Sequence, residues 1–185
     1  MRLNLGCGTR KIPEWINVDK TAACEPDVLH DLETFPWPWE DDSVEEIALV
    51  HVLEHLNGGE EQYKRLWQEI YRICKPDAAV VVQCPHPRHE DFLNDPTHVR
   101  AVTPVQFSLF SREFNAECEE KGFANTQLGK YWGVDFDVTR VDYTPSDQYL
   151  EKNPAKREDT VWLLKQAAEK LNQIKQFTVI LKAVK

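Results

Sequence analysis

The segment HVLEH, residues 51–55, carries two histidines four positions apart and a glutamate directly before the second one. Imidazole nitrogens and carboxylate oxygens are common zinc ligands, and this residue order occurs in an inverted zinc-peptidase motif. Such an enzyme needs a third ligand further along the chain, and no acidic residue there stands out. A zinc-dependent hydrolase is therefore one hypothesis, to be weighed against what the rest of the chain predicts.

A second set of residues has the types and spacing of a nucleotide-binding site. Gly6 and Gly8 directly follow the apolar run LNL, where glycine lets the backbone turn tightly and lets a ligand approach main-chain amides. Asp19 ends the next apolar run, where its carboxylate can accept hydrogen bonds from both hydroxyls of a ribose. Asp31 follows the third run. If these runs are parallel strands, the four residues meet at the sheet edge where such folds bind ligands.

The features missing from this set narrow the choice of ligand. A dinucleotide-binding turn has a third glycine and a helix whose N-terminus faces the pyrophosphate. Here position 10 is Arg10, and little helix follows it. A ligand without pyrophosphate fits better, and S-adenosylmethionine combines an adenosine with a carboxylate that loop amides or Arg10 can bind. The same departures disfavour a nicotinamide-dependent oxidoreductase, which stays an alternative.

The polar segment CPHPRHEDFLNDPTHV contains four residues of types that bind metals, namely Cys84, His86, His89 and His98. Their spacing matches no closed zinc site, and histidine-rich loops are commonly solvated or hydrogen-bonded. We therefore expect no metal among the site residues.

The elements that must position these residues alternate between strand and helix. Short apolar runs predict buried strands at LNL, INV, DVL, EIALV and AAVVVQC. Apolar residues at three- and four-residue steps predict a helix between the last two runs, with a face formed by Tyr63, Leu66, Trp67, Ile70 and Cys74. A strand, helix, strand unit favours parallel pairing, so we expect one α/β doubly wound domain over residues 1–185.

The second half of the chain continues the alternation. Thr103, Pro104 and Gln106 predict a capped helix that ends near Gly122. Strands are expected at 126–128, 136–141 and 177–184. A further helix is expected before the last strand, with a buried face of Val161, Leu164, Ala168 and Leu171.

The connections between the first three strands are too short for ordinary helices. Only TRKIPEW and KTAACEP lie there, whereas parallel neighbours usually need a dozen or more residues. We expect reduced helices or loops, so one face of this half of the sheet needs another cover. Trp15, Trp37 and Trp39 could provide it, and so could a partner subunit, such as a second copy in a homodimer.

The composition disfavours several classes of partner. With 185 residues, 42% of them hydrophobic, the chain can bury one sizeable core. A net charge of -9 without a basic cluster disfavours nucleic acid, because that affinity comes mostly from Lys and Arg. We see no signal-type N-terminus and no run long enough to span a bilayer. Five cysteines without a CxxC motif predict reduced thiols, so a cytoplasmic protein without a membrane partner is expected.

Together these features resemble the class I S-adenosylmethionine-dependent methyltransferases, particularly small members with an LNLGCG…INVD opening. The resemblance continues in order through HDLETFPWPWEDDSVEEI, HVLEHL, RICKPDAAVVVQCP and EEKGF, and so covers nearly the whole chain. It implies a Rossmann-like, mostly parallel sheet with an antiparallel last strand. Asn4 replaces the acidic residue common in the family's glycine motif, and Arg10 replaces its last glycine.

The resemblance also implies roles in the cofactor site. The loop that holds the methionine end of S-adenosylmethionine matches Gly6, Cys7 and Gly8. The acid that holds the ribose matches Asp19, and the pair that meets the adenine matches Asp31 and Leu32. The residue after the fourth strand, His51 here, lies near the sulfonium. Family members commonly carry a vLEHl stretch at this point without zinc.

The acceptor side of the site is less defined by the resemblance. DPTH resembles a DPxH element of small family members, which makes Asp95 and His98 candidates to line the site, and His86 is a further candidate to contact substrate. A base within hydrogen-bond reach helps when the acceptor is a hydroxyl or a protonated amine. His55 or His98 is the predicted base, oriented by Glu54 or Asp95.

We therefore expect transfer of a methyl group to oxygen or nitrogen of a small-molecule acceptor. In the alternative interpretation, a non-catalytic S-adenosylmethionine-binding protein or a methyltransferase partner subunit would keep Gly6, Gly8 and Asp19. Its polar cluster would then serve only the structure.

Overall fold

The computed structural model describes residues 1–56 and 59–185. Within these residues the chain forms a seven-stranded sheet in the order β3-β2-β1-β4-β5-β7-β6. The strands are β1 (Arg2–Leu5), β2 (Ile16–Asp19), β3 (Val28–Leu29), β4 (Val44–Val50), β5 (Cys74–Pro85), β6 (Phe136–Pro145) and β7 (Ile174–Ala183). The first five pair in parallel, whereas β7 is antiparallel to β5 and to β6. The doubly wound, mostly parallel sheet with an antiparallel last strand is thus confirmed.

The α-helices in the described ranges are α1 (Gly59–Ile73), α2 (Glu90–Leu93), α3 (Arg112–Glu120), α4 (Leu128–Trp132), α5 (Asp147–Lys152) and α6 (Thr160–Glu169). Short 3-10 helices lie at Ala22–Cys24, Leu53–His55, Pro104–Phe110 and Pro154–Lys156. As predicted, α1 joins β4 to β5 and buries Tyr63, Leu66, Trp67 and Ile70, while Cys74 begins β5. No helix among the described residues is long and apolar enough to cross a membrane.

The first three strands are joined without ordinary helices, as expected, and a side-chain network holds their connections. Asn17, which is 5% exposed, accepts the Ile12 N–H at 2.8 Å and donates to Asp27 Oδ2 at 2.9 Å. Its backbone N–H donates to the same Asp27 oxygen at 2.8 Å. These hydrogen bonds hold the pKa of Asp27 below its usual value. Hydrogen bonds that a helix would make internally are here supplied by side chains.

Trp37 and Trp39 contribute to the core on this side of the sheet. They are 3% and 8% exposed, and their rings meet edge to face with centroids 5.8 Å apart. Arg72 of α1 fixes the segment by donating to the Trp39 carbonyl at 2.8 Å, while it is paired with Glu69 at 2.7 Å. Trp15 is only half-buried, with the Arg2 guanidinium over its ring. Two of the three tryptophans are therefore buried in the main core, and their covering of this face of the sheet stays a prediction.

Aromatic packing stabilises the other half of the molecule. Trp67 of α1 packs against Phe107, Phe110 and Phe136, with ring centroids 5.7, 4.7 and 5.6 Å away. All four rings are at most 1% exposed. Removing one such ring costs about 3–5 kcal/mol because a cavity replaces its contacts. This cluster joins α1 to the segment after β5.

Two expectations for the second half are wrong in detail. Residues 126–128 form no strand, and Leu128 begins α4 instead. The helix predicted from Thr103 starts with a 3-10 turn over Pro104–Phe110 and breaks at Ser111, whose hydroxyl caps α3 by accepting the Phe114 N–H at 3.2 Å. The capping box itself forms, since Gln106 accepts the Thr103 N–H at 3.4 Å.

The predicted buried face of the last helix is also wrong. Val161 and Leu164 are 80% and 39% exposed, and Ala168 and Leu171 are exposed as well. The face that packs consists of Leu163, Gln166 and Ala167, against Tyr149 and Ile174. The sequence offers two adjacent apolar stripes at helical spacing, and the position of Tyr149 on α5 selects one of them.

Candidate functional site

The glycine loop leaves β1 at the edge where the parallel strands end. Gly6 and Gly8 have φ values of 67° and 49°, which side-chain-bearing residues rarely adopt. A Cβ on Gly6 would lie 2.6 Å from Cγ2 of Val52, so only glycine lets the loop pass so close to the segment after β4. The Cys7 N–H donates to the Val18 carbonyl at 2.9 Å. The loop is therefore clamped between β2 and residue 52.

Asp19 ends β2 beside this loop, and backbone N–H groups hold both of its carboxylate oxygens. Oδ2 accepts the Gly8 N–H and Oδ1 accepts the Thr21 N–H, each at 2.8 Å. A carboxylate oxygen has two lone pairs, so each can still accept a hydroxyl from a ligand. The side chain is thereby oriented before any ligand binds, as a ribose-binding acid should be.

Asn4 explains the first departure from the family pattern. It is 3% exposed, and its Nδ2 donates to the Arg10 carbonyl and to Asn17 Oδ1, both at 2.9 Å. An acidic residue at this position could not donate both bonds. Asn4 therefore fixes the loop that, in this chain, replaces the first crossover helix.

Asp31 and Leu32 follow β3 at the same edge, together with a residue that the sequence analysis missed. Asp31 Oδ1 accepts the Glu33 N–H at 3.0 Å, and Leu32 is 6% exposed. His30 lines the cleft, and its Nε2 is buried without a hydrogen-bond partner. Its ring meets Trp39 edge to face at 5.8 Å. In the sequence, the only signal for His30 was its position directly before Asp31.

These elements enclose an open cleft of about 200 Å³. Six of the predicted site residues line it, namely Gly6, Asp19, Asp31, Leu32, His51 and His55. The remaining lining residues, which the sequence analysis did not single out, are Lys20, His30, Val52 and Leu56. Cys7, Gly8, Glu54, His86, Asp95 and His98 do not line the cleft directly.

Segment 51–56 contributes four of the residues that line the cleft, namely His51, Val52, His55 and Leu56. His51 has a φ of 56°, a strained value for a residue with a side chain, and its Nδ1 lies 3.2 Å from Glu54 Oε1. Glu54 is 0% exposed, and its Oε2 has no hydrogen-bond partner. Its backbone carbonyl accepts the N–H groups of Val99 and Arg100 at 2.9 and 3.1 Å, which brings the 95–98 loop to this segment.

The predicted bases, His55 and His98, come together there. Their ring centroids are 4.6 Å apart. His55 Nδ1 lies 2.9 Å from Thr97 Oγ1, and His98 Nδ1 lies 3.0 Å from the Phe92 carbonyl. Asp95 Oδ2 is 3.7 Å from His98 Nε2, and hydrogen bonds from Thr97 keep the pKa of Asp95 below its usual value. Four predicted acceptor-side residues, Glu54, His55, Asp95 and His98, are thus neighbours.

Among the other ligand-type residues of the 84–98 segment, Cys84 lies beside Glu54 of this group, whereas His86 and His89 are held by contacts of their own. Burial raises the pKa of Cys84 well above its usual value, with the Glu54 carboxylate adding to the rise, so its thiol stays protonated. His86 Nδ1 accepts the Arg88 N–H at 3.2 Å, and burial lowers the pKa of this imidazole. His89 Nδ1 accepts the Asp91 N–H at 3.1 Å, which caps α2.

Residues 3–82, which contain the glycine loop, Asp19 and the segment 51–56, match the model of a family described as a methyltransferase domain. In this region the chain is similar to that family. This agrees with the sheet order and with the position of the cleft. S-adenosylmethionine is the cofactor that goes with this family. No curated protein matches the chain in sequence.

Solved structures with the same fold cover almost all of this chain. A SAM dependent methyltransferase from Archaeoglobus fulgidus is 18% identical with a TM-score of 0.66, covering 98% of this chain and 85% of that one. A chain from the Haloferax volcanii complex between the Trm112 methyltransferase activator and the putative methyltransferase is 13% identical, with a TM-score of 0.54 and coverages of 100% and 82%. The [4+2]-cyclase SpnF is 13% identical, with a TM-score of 0.54 and coverages of 99% and 74%. At these identities the likeness shows the fold alone.

Proposed function

We propose that this protein transfers the methyl group of S-adenosylmethionine to an oxygen or nitrogen atom of a small-molecule acceptor. The observation that carries the proposal is the cleft at the strand ends, which is lined by both the pre-oriented Asp19 and His55. Methyl transfer is helped when the cofactor-binding residues and the titratable groups line one cleft, because the methyl group and the acceptor then meet there.

The cofactor-binding roles follow from the contacts at the strand ends. Asp19 keeps a free lone pair on each oxygen for the two ribose hydroxyls. Asp31, Leu32 and the unpartnered Nε2 of His30 are available to the adenine. Gly8 has open space where a Cβ would lie, so the methionine end can approach the backbone of the loop there.

The chemistry depends on holding the acceptor in line with the methyl group. When bound, S-adenosylmethionine would supply an electrophilic methyl group on its sulfonium. S-adenosylhomocysteine would be the leaving group when the acceptor atom attacks that methyl group. His51 and His55 position the acceptor against it, and such positioning supplies much of the acceleration. His55 or His98 takes the acceptor's proton at Nε2, with Asp95 next to His98. His86 is a further candidate to contact the acceptor.

The proposal is tested by measuring S-adenosylhomocysteine release with panels of hydroxyl, carboxyl and amine acceptors. We expect turnover with at least one panel and, because a positioned base contributes about 10²–10⁴-fold, a fall of that order in kcat for His98→Ala. Asp77→Asn, an exposed carboxylate at the start of β5, is the control that should keep wild-type turnover. Turnover that is unchanged in His98→Ala and His55→Ala would contradict the assigned bases.

A second candidate function is binding or reaction without methyl transfer. One neighbour in fold carries the name of a [4+2]-cyclase, so the fold alone does not fix the reaction. The same assay separates the two candidates. Saturable binding of S-adenosylhomocysteine with no release from S-adenosylmethionine under any acceptor would favour the non-catalytic or partner-subunit alternative.

A further inference from the structure

Three of the predicted acceptor-side side chains lie close enough to share one ion. Glu54, His55 and His98 each offer one ligand atom, and these atoms all lie within 4.8 Å of one another. Glu54 and His55 come from the 3-10 turn after β4, whereas His98 comes from the loop that the Glu54 carbonyl holds in place. The grouping therefore depends on the tertiary fold and differs from the His51 and His55 pair of the zinc-peptidase motif.

The Glu54 carboxylate indicates that a ligand is missing from this grouping. The side chain is 0% exposed, and Oε1 has His51 Nδ1 at 3.2 Å. The protonated Cys84 thiol beside the carboxylate is only a weak donor, and Oε2 makes no hydrogen bond of normal geometry. A carboxylate held out of water without a full set of partners is destabilising, so buried charges are normally paired or bound to metals. A cation at the grouping would supply the missing partner.

The hydrogen bonds around the two histidines set their tautomers. Thr97 Oγ1 donates its single hydrogen to Asp95 Oδ1 at 2.6 Å, so it can only accept from His55 Nδ1. The Phe92 carbonyl can only accept, so His98 Nδ1 must donate to it. Both rings therefore carry their hydrogen on Nδ1 and leave the Nε2 lone pair free. Metal-binding histidines are commonly oriented by a bond of this kind from the other ring nitrogen.

We propose that Glu54, His55 and His98 form a binding site for a divalent transition-metal ion. Two imidazole nitrogens and one carboxylate oxygen suit zinc, manganese, iron or cobalt better than magnesium or calcium, which prefer oxygen ligands. Ligands bound at about 2.0–2.2 Å to one ion lie roughly 3.0–3.5 Å apart, so atoms that are now up to 4.8 Å apart must close by up to about 1.3–1.8 Å. Binding would therefore need the His55 and His98 side chains to move.

Three protein ligands leave at least one coordination position open. Since His55 also lines the cofactor cleft, that position lies next to the place where the acceptor would sit. On the basis of the proposed function, the substrate class is then a hydroxylated acceptor, whose oxygen binds the ion and loses its proton more readily there. With the ion bound, the two Nε2 lone pairs are occupied, so neither histidine can act as the base. The ion would make the bound hydroxyl more acidic, and its proton would pass to the Asp95 carboxylate, whose Oδ2 lies 3.7 Å from His98 Nε2.

Metal binding can be tested without cofactor or acceptor. Untagged, metal-stripped protein is titrated with Co²⁺, whose visible absorption reports nitrogen and oxygen ligands, and with Zn²⁺ in competition. We expect one Co²⁺ per chain in the wild type. His98→Ala and Glu54→Gln should each weaken binding about 100-fold or more, because even residues that only orient ligands cost 10–100-fold. His89→Asn, at a histidine outside the grouping whose cap on α2 an asparagine can replace, should bind as the wild type does.

Two variants keep the test decisive if one of them folds poorly, and far-ultraviolet circular dichroism checks each. No Co²⁺ binding by the folded wild type, or equal binding by wild type, His98→Ala and Glu54→Gln, overturns the proposal. S-adenosylhomocysteine binding and methyl transfer are measured on the same stripped protein. If these persist while metal binding fails, the metal site is wrong and the methyltransferase proposal stands. If methyl transfer and cofactor binding are both absent while metal binding is intact, the methyltransferase proposal is wrong and the metal site stands.

Discussion

Asp19 lines the cleft and Glu54 lies in the segment 51–56 beside it, and the two carboxylates are held in opposite ways. Asp19 is half-exposed, and backbone N–H groups bind both of its oxygens. Glu54 is fully buried, and its Oε2 has no hydrogen-bond partner. The Asp19 carboxylate is therefore oriented by the protein before a ligand binds. Glu54 remains a buried group that a ligand, a proton or an ion must satisfy.

The glycine loop beside Asp19 should be more sensitive to changes in its backbone than the segment 51–56 is. Gly6→Ala adds a Cβ 2.6 Å from Val52 at a φ of 67°. Steric overlap and the left-handed conformation together should lower the free energy of unfolding by about 2–4 kcal/mol. Gly8→Ala, with a φ of 49° and open space around its Cβ, should cost only about 1–2 kcal/mol. Urea denaturation of the two variants measures the difference, and equal midpoints would mean that the close approach to Val52 is unimportant.

The side-chain network beneath the same loop gives a smaller effect. Asn17→Ala removes the side-chain bonds to Ile12, Asp27 and Asn4 and leaves the buried Asn4 amide without one of its two acceptors. Unsatisfied buried groups cost about 1–3 kcal/mol, so we expect a loss in that range by urea denaturation. The bonds from Asn17 lower the pKa of Asp27, so they stabilise the fold above the ordinary carboxyl pKa and that part is lost as the pH falls. The stability difference between wild type and Asn17→Ala should therefore shrink below about pH 4; a constant difference would contradict the network.

The comparison of the two carboxylates predicts opposite signs for the same substitution. In metal-free protein, Glu54→Gln removes an incompletely paired buried charge and should leave stability unchanged or raise it by about 1 kcal/mol. Asp19→Asn loses hydrogen bonds from backbone N–H groups and should lower stability by about 1 kcal/mol. Thermal melts of both variants with a chelator present provide the measurement. A clear loss of stability in Glu54→Gln would show that the buried carboxylate is already satisfied.

The smallest expected effect is on the rate at which Cys7 is alkylated. Burial raises the pKa of Cys7, and the charge of Asp19 adds to the rise. Alkylation needs the thiolate, so Cys7 should react with iodoacetamide more slowly than the half-buried Cys24 at pH 8. Asp19→Asn should speed the reaction about two-fold. Peptide mass mapping over time follows each cysteine separately, and a rate unaffected by the substitution would place Asp19 electrostatically apart from the loop.

The sequence predicted the parts of the site that depend on local chain features. The strands show as apolar runs, and residues at their ends, such as Asp19 and Asp31, must meet at one edge of a parallel sheet. His30 escaped notice because a histidine beside a strand end has no pattern of its own. The meeting of His98 with Glu54 could not be foreseen, since it depends on backbone bonds between segments more than forty residues apart.

The difference between local chain features and tertiary contacts also explains where the fold predictions were wrong. The face of α6 was ambiguous because the sequence carries two apolar stripes, and the choice depends on Tyr149 of α5. Asn4 and Asn17 look like ordinary polar residues in the sequence. In the structure they supply the hydrogen bonds that a missing crossover helix would have made. Their role becomes visible only when the connection is seen to be a loop.

The most direct test of the cofactor site is calorimetric titration with S-adenosylhomocysteine of the wild type, Asp19→Asn and the control Asp77→Asn. Losing hydrogen bonds to a charged group costs about 1.5–3 kcal/mol, so Asp19→Asn should bind roughly 10- to 100-fold more weakly. Asp77→Asn should bind as the wild type does. Failure of the folded wild type to bind, or equal affinity in all three proteins, would contradict the placement of the cofactor in this cleft.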